Sequence, residues 1–129
     1  MARNNCIIVC VTKQKSSSRL ITEGALLAKQ HDAAMKVVHV VHPNDNFLGN
    51  PDEGEAMDYL FHTAKKYNAT ITLLKHANVA QSLVHFVQTH NANLVVLGQS
   101  GVTTKEEEGI LWQLRSALPL VDFHVISAP

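Results

Sequence analysis

Five short apolar runs recur along the chain: CIIVCV (6–11), KVVHVV (36–41), TITLLK (70–75), LVVL (94–97) and DFHVI (122–126). Several are continuously apolar, the pattern of strands covered on both faces. The segments between them have a helical period instead. Leu20, Gly24, Leu27 and His31 align over 18–31, and Ala56, Leu60, Thr63, Ala64 and Tyr67 form a stripe over 53–67. Val79, Leu83, Phe86, Val87 and His90 keep the same period, as do Ile110, Leu114 and Ala117 with Leu111 and Leu118 beside them. Strand and helix thus alternate throughout. The alternation predicts an α/β fold: a five-stranded, mainly parallel, doubly wound sheet with right-handed crossovers and helices on both faces. With 129 residues and 46% hydrophobic side chains, one domain over 1–129 is expected, with a core of its own.

Charge and cysteine usage narrow the function classes. Eleven basic and eleven acidic side chains cancel, so no global field draws the chain to nucleic acid or an acidic membrane. Neither nucleic-acid binding nor direct membrane insertion is expected, since no apolar run approaches the roughly eighteen residues of a membrane span. The opening MARNNCIIVC lacks a signal-like apolar stretch, and a cytoplasmic location is expected. Cys6 and Cys10 fall on the same side of a strand, too far apart to bridge easily, and read as reduced core residues.

A parallel sheet of this kind binds ligands beyond the carboxyl ends of its strands, where the strand order reverses. Three loops leave those ends: TKQKSSS, HPNDNFLGNPDEG and GQSGVTT. The first and last would flank one crevice if the order reverses between their strands. Candidate ligand contacts are Thr12, Lys13, Lys15 and Ser16 in the first loop, Val41 and His42 at the end of the second strand, and Gly98, Gln99 and Gly101 after the fourth. Two readings of the first loop stand: an anion site at a helix N-terminus, or a solvated loop whose Ser17 or Ser18 caps the helix. For Gly98 and Gly101 the alternatives are ligand contact and a tight turn needing positive φ.

The segments IIVCVTKQKSSSRLITEGALLAKQ, NVAQSLVHFVQTHNANLVVLGQSG and VDFHVIS resemble the universal stress protein family. Within it they resemble the domain carried in the cytoplasmic part of KdpD-type potassium-sensing histidine kinases. The resemblance covers nearly the whole chain and implies a non-catalytic regulatory domain in signal transduction or the stress response. It also implies a homodimer through the last strand, with sensor-kinase domains or a signalling protein as further partners. In the ATP-binding branch an acidic residue follows the first strand, and Gly-x-x-Gly is followed after nine residues by Gly-Ser/Thr. Gly98 and Gly101 match, but Thr12 occupies the acidic position, and Leu111 and Trp112 replace the Gly-Ser/Thr pair. Glu106, Glu107 and Glu108 put negative charge where a triphosphate would run, although Thr104 with Glu107 also has capping-box spacing. The resemblance therefore implies an adenine nucleotide or cyclic di-AMP as ligand, with ATP in its usual mode disfavoured. The alternative is a protein-interaction or scaffold module with a vestigial pocket.

Other chemistry is hard to assemble. The eight histidines form no zinc-spaced cluster, and His39 and His42 are poor partners for one ion. His31 and His90 sit where helices should end, which suits structural roles. No Gly-x-Ser-x-Gly elbow or Walker sequence occurs, so no enzyme activity is expected.

Overall fold

The computed structural model describes residues 5–12, 14–99 and 105–127. Its strands are β1 (Cys6–Cys10), β2 (Ala34–Val41), β3 (Thr70–Lys75), β4 (Leu94–Gln99) and β5 (Asp122–Ser127). Its helices are α1 (Gln14–Gln30), α2 (Glu53–Lys65), α3 (Val79–Thr89) and α4 (Lys105–Ala117), with a short 3-10 turn at Phe47–Gly49. The strands form one sheet in the order β3-β2-β1-β4-β5, and every neighbouring pair is parallel. The α/β fold and all five strand positions thus agree with the hydrophobic pattern.

Strand side chains alternate between two cores. Ile7, Val9 and Val11 join Leu20 and Ile21 of α1 and Leu60 of α2 on one face. Cys6, Ile8 and Cys10 join Leu83 and Phe86 of α3 and Leu114 of α4 on the other. Complete burial of a side chain such as Leu60 or Ile8 contributes about 1.5–3 kcal/mol each. Both cysteines are buried and unbridged, on one face as their spacing requires. Helix α1 approaches the sheet closely at Gly24, where a β-carbon would overlap the Val9 side chain and lie 3.1 Å from the Met35 sulfur.

Three helices end in the same way. Asp32, Asn68 and Asn91 take left-handed φ values of 49°, 55° and 51° after α1, α2 and α3. The next residue then donates back into the last turn: Ala33 N–H to the Ala28 carbonyl at 2.8 Å, Ala69 to Ala64 and Ala92 to Val87, both at 3.2 Å. Asp and Asn tolerate this conformation better than other non-glycine residues. The signal lies in the sequence as His-Asp-Ala, Tyr-Asn-Ala and His-Asn-Ala, each just ahead of a strand.

The helical stripes need local correction. Helix α1 starts at Gln14, so Ser17 and Ser18 lie inside it and neither is its cap. No glycine or proline interrupts residues 14–19, Ser17 is fully buried, and the Thr22 hydroxyl donates to the Ser18 carbonyl at 2.8 Å. His31 and Tyr67 fall beyond α1 and α2 and are exposed. Helices α2 and α3 are capped by Asp52 and Asn78, which accept from the Glu55 and Gln81 backbone N–H groups. The expected Thr104 cap of α4 lies outside the described residues.

Candidate ligand-binding crevice

The strand order reverses at β1 and β4, which lie side by side at the centre of the sheet. From β1 the chain turns to α1 on one face, and from β4 to α4 on the other. The divergence leaves a crevice at the carboxyl ends of the strands, where a cavity of about 120 Å³ opens. Its floor is Cys10, Val38, Val40 and Leu97, which alternation points to the α3/α4 face. Val79 and Leu83 of α3, Ile110 and Leu111 of α4 and Val125 of β5 close the sides. Val11, Thr12, Gly98 and Glu108 complete the lining. Thr12 and Glu108 are exposed, which places them at the mouth. Burial pushes the Cys10 thiol up to about 12, so it is neutral near pH 7 and unreactive.

The sequence candidates are distributed unevenly around this space. Thr12 and Gly98 line it. Val41 and His42 do not; Val40 takes part from β2 instead. Val41 is offset from Val40 by the strand period, and its carbonyl accepts from His76 N–H at 2.8 Å. The half-buried His42 accepts the Asn44 backbone N–H at Nδ1, 3.1 Å away, and helps shape the turn after β2. Lys15 and Ser16 belong to the first turns of α1, and Gln99 ends β4; their side chains, together with Lys13 and Gly101, lie outside the described residues.

Gly98 is no turn glycine. It sits within β4 opposite Ile126, and an added β-carbon would lie 3.1 Å from a Leu20 methyl on α1. Trp112 also departs from expectation. It is 70% exposed and does not line the cavity, so Leu111 alone of that pair occupies the region. Two successive helical residues are about 100° apart around the axis, and burying one leaves the other facing outward.

The loop after β2 is held by contacts that no motif announces. His39 is 2% exposed. Its Nδ1 lies 2.6 Å from the Val11 carbonyl and its Nε2 accepts the Leu48 backbone N–H at 2.8 Å. The second bond requires a bare Nε2, so Nδ1 carries the proton and donates to Val11. Burial lowers the histidine pKa against the opposing effect of the Val11 bond, keeping the ring neutral. Leu48 is held at φ 57°, an unfavourable angle for a branched side chain. Nearby, Glu53 accepts from Phe47 N–H and pairs with Lys75, both at 2.9 Å. Those two partners hold its carboxyl below the usual range. The Lys75 ammonium lies 4.9 Å from the centre of the Phe47 ring. A lone histidine in the apolar run VVHVV was the available clue.

Among the described residues, no group of three or more His, Cys, Asp or Glu is placed to hold a metal. The His90 ring packs against Phe86 in a tilted arrangement, with centroids 4.3 Å apart and planes at 53°. No described helix is long and apolar enough to cross a membrane.

The model of the universal stress protein family matches residues 4–111. No curated protein matches the chain. Among solved structures, a universal stress protein in complex with cAMP is 16% identical, with a TM-score of 0.68 over 99% of this chain and all of that one. The universal stress protein of Archaeoglobus fulgidus in complex with dAMP is 15% identical, with a TM-score of 0.58 over 98% of both chains. A family protein from Arabidopsis thaliana with AMP bound is 10% identical, with a TM-score of 0.58 over 97% of this chain and 92% of that one. These similarities establish a shared fold.

Proposed function

The chain belongs to the universal stress protein family, and from that premise we propose that it is a non-catalytic regulatory domain binding a small adenine nucleotide in the crevice. The observation that carries this reading is the apolar cavity at the β1/β4 reversal. Mostly apolar clefts of this kind are where small-molecule ligands bury their rings. Structures of the same fold hold cAMP, dAMP and AMP. Cyclic di-AMP is a further ligand to test, and a finer role is as the input domain of a KdpD-like, potassium-sensing kinase in the cytoplasm. Exposed Trp112 and Leu120 favour the second reading, an interaction module whose pocket is vestigial.

Thermal unfolding against AMP, cAMP, ADP, ATP and cyclic di-AMP tests the proposal. A ligand at a hundred times its Kd stabilises the folded state by about 2.7 kcal/mol, an upward Tm shift of about 10 °C for a chain of this size. No shift across the panel at millimolar concentration would instead favour the interaction module.

We also propose a homodimer through β5. This strand is one edge of the sheet and offers unpaired backbone groups to a second copy. Sedimentation velocity at micromolar concentration should give a species of twice the 14.2 kDa chain mass; a monomer alone would rule the dimer out.

A further inference from the structure

We infer that Glu108 is the specificity-determining residue of the crevice, accepting the hydroxyls of a nucleoside and turning away polyphosphate tails. The inference rests on the adenine-nucleotide reading above and names the ligand class within it. At about 120 Å³ the cavity is well below the roughly 300 Å³ needed to enclose a drug-sized ligand. It encloses a base and leaves the rest of the ligand at the mouth.

The mouth holds the Thr12 hydroxyl and the Glu108 carboxylate, both exposed. Among the described lining residues Glu108 carries the one formal charge. It lies in the first turn of α4, three residues before Leu111, so both face the cavity from one side of the helix. An ionised carboxylate only accepts hydrogen bonds, and so does an ionised phosphate. The two cannot pair without a proton or cation between them, and each added phosphoryl charge increases the repulsion. A vicinal diol supplies the donors that a carboxylate requires, in charge-assisted bonds. The ligand class is therefore a purine nucleoside, or a nucleotide of low charge, with free ribose hydroxyls.

Isothermal titration of the intact chain with adenosine, 2′,3′-dideoxyadenosine, AMP and ATP tests this, repeated on Glu108→Gln. In the wild type, adenosine should bind at least about tenfold more tightly than ATP. Glu108→Gln should weaken adenosine about tenfold, leave dideoxyadenosine unchanged and tighten ATP several-fold. Glu108 is exposed, and an unchanged Tm of the unliganded variant would establish that folding is intact. Wild-type protein that prefers ATP, or a variant whose four affinities move together, overturns the role of Glu108 and leaves the nucleotide crevice standing. Failure of all four compounds to bind the wild type at millimolar concentration overturns both.

Discussion

His39→Leu is expected to lower the stability of the fold by about 3–5 kcal/mol, with little change in buried volume. Leucine fills most of the imidazole space but leaves the Val11 carbonyl and the Leu48 N–H without the ring that now satisfies them. Each buried backbone group stripped of its partner costs about 1–3 kcal/mol. Leu48 also loses the bond that helps to hold its positive φ. The clamp joins the end of β1, the end of β2 and the turn at Phe47–Gly49, so its loss should be felt beside the crevice. Urea unfolding at pH 7.5 measures the effect, and a loss below about 1 kcal/mol would mean that the ring is only a space-filler.

The same residue gives a pH dependence of definite sign. The folded state holds the ring neutral, with its pKa lowered by burial, while the unfolded chain takes up a proton near the ordinary value of about 6.5. The unfolded state therefore binds more protons in that window. The contribution of His39 is fully present above about pH 6.5 and is lost as the pH falls toward the depressed folded value. Wild-type stability should drop between pH 7.5 and pH 5.5, and the gap to His39→Leu should narrow. A gap that stays constant would show that the ring accepts a proton as readily folded as unfolded.

Leu111→Trp is expected to abolish nucleotide binding, weakening the best ligand by at least about a hundredfold (more than ~2.7 kcal/mol). Leu111 is half-buried and lines the cavity from α4. A larger ring there competes directly for the space of the base, and because the side chain is partly exposed the helix can absorb the change without repacking its Leu114 and Leu118 anchors. Trp112→Gly serves as the contrast. Trp112 is exposed and outside the lining, so its removal should leave affinity nearly unchanged. If Leu111→Trp binds as the wild type does, the ligand site lies elsewhere on the chain.

Much of the architecture was open to sequence reading because it depends on short-range periodicity. Runs such as CIIVC and LVVL can be satisfied only by burial on both faces, and parallel strands then follow from the helices between them. Where a helix begins was less legible. Ser17 suits a cap and a helix interior almost equally in local terms, and its complete burial inside α1 decided the matter.

The crevice divides along the same line. By itself the sequence determined the fold class, the five strands and the common face of Cys6 and Cys10, because each follows from spacing along one element. Only the tertiary structure decided that Val40 lines the cavity while Val41 and His42 do not, that Leu111 faces it while Trp112 turns to solvent, and that Glu108 shares its mouth with Thr12. Those outcomes depend on the rotation of a helix about its axis and on which strands meet at the reversal. Such quantities are set by packing among residues far apart in the chain, and no local pattern encodes them.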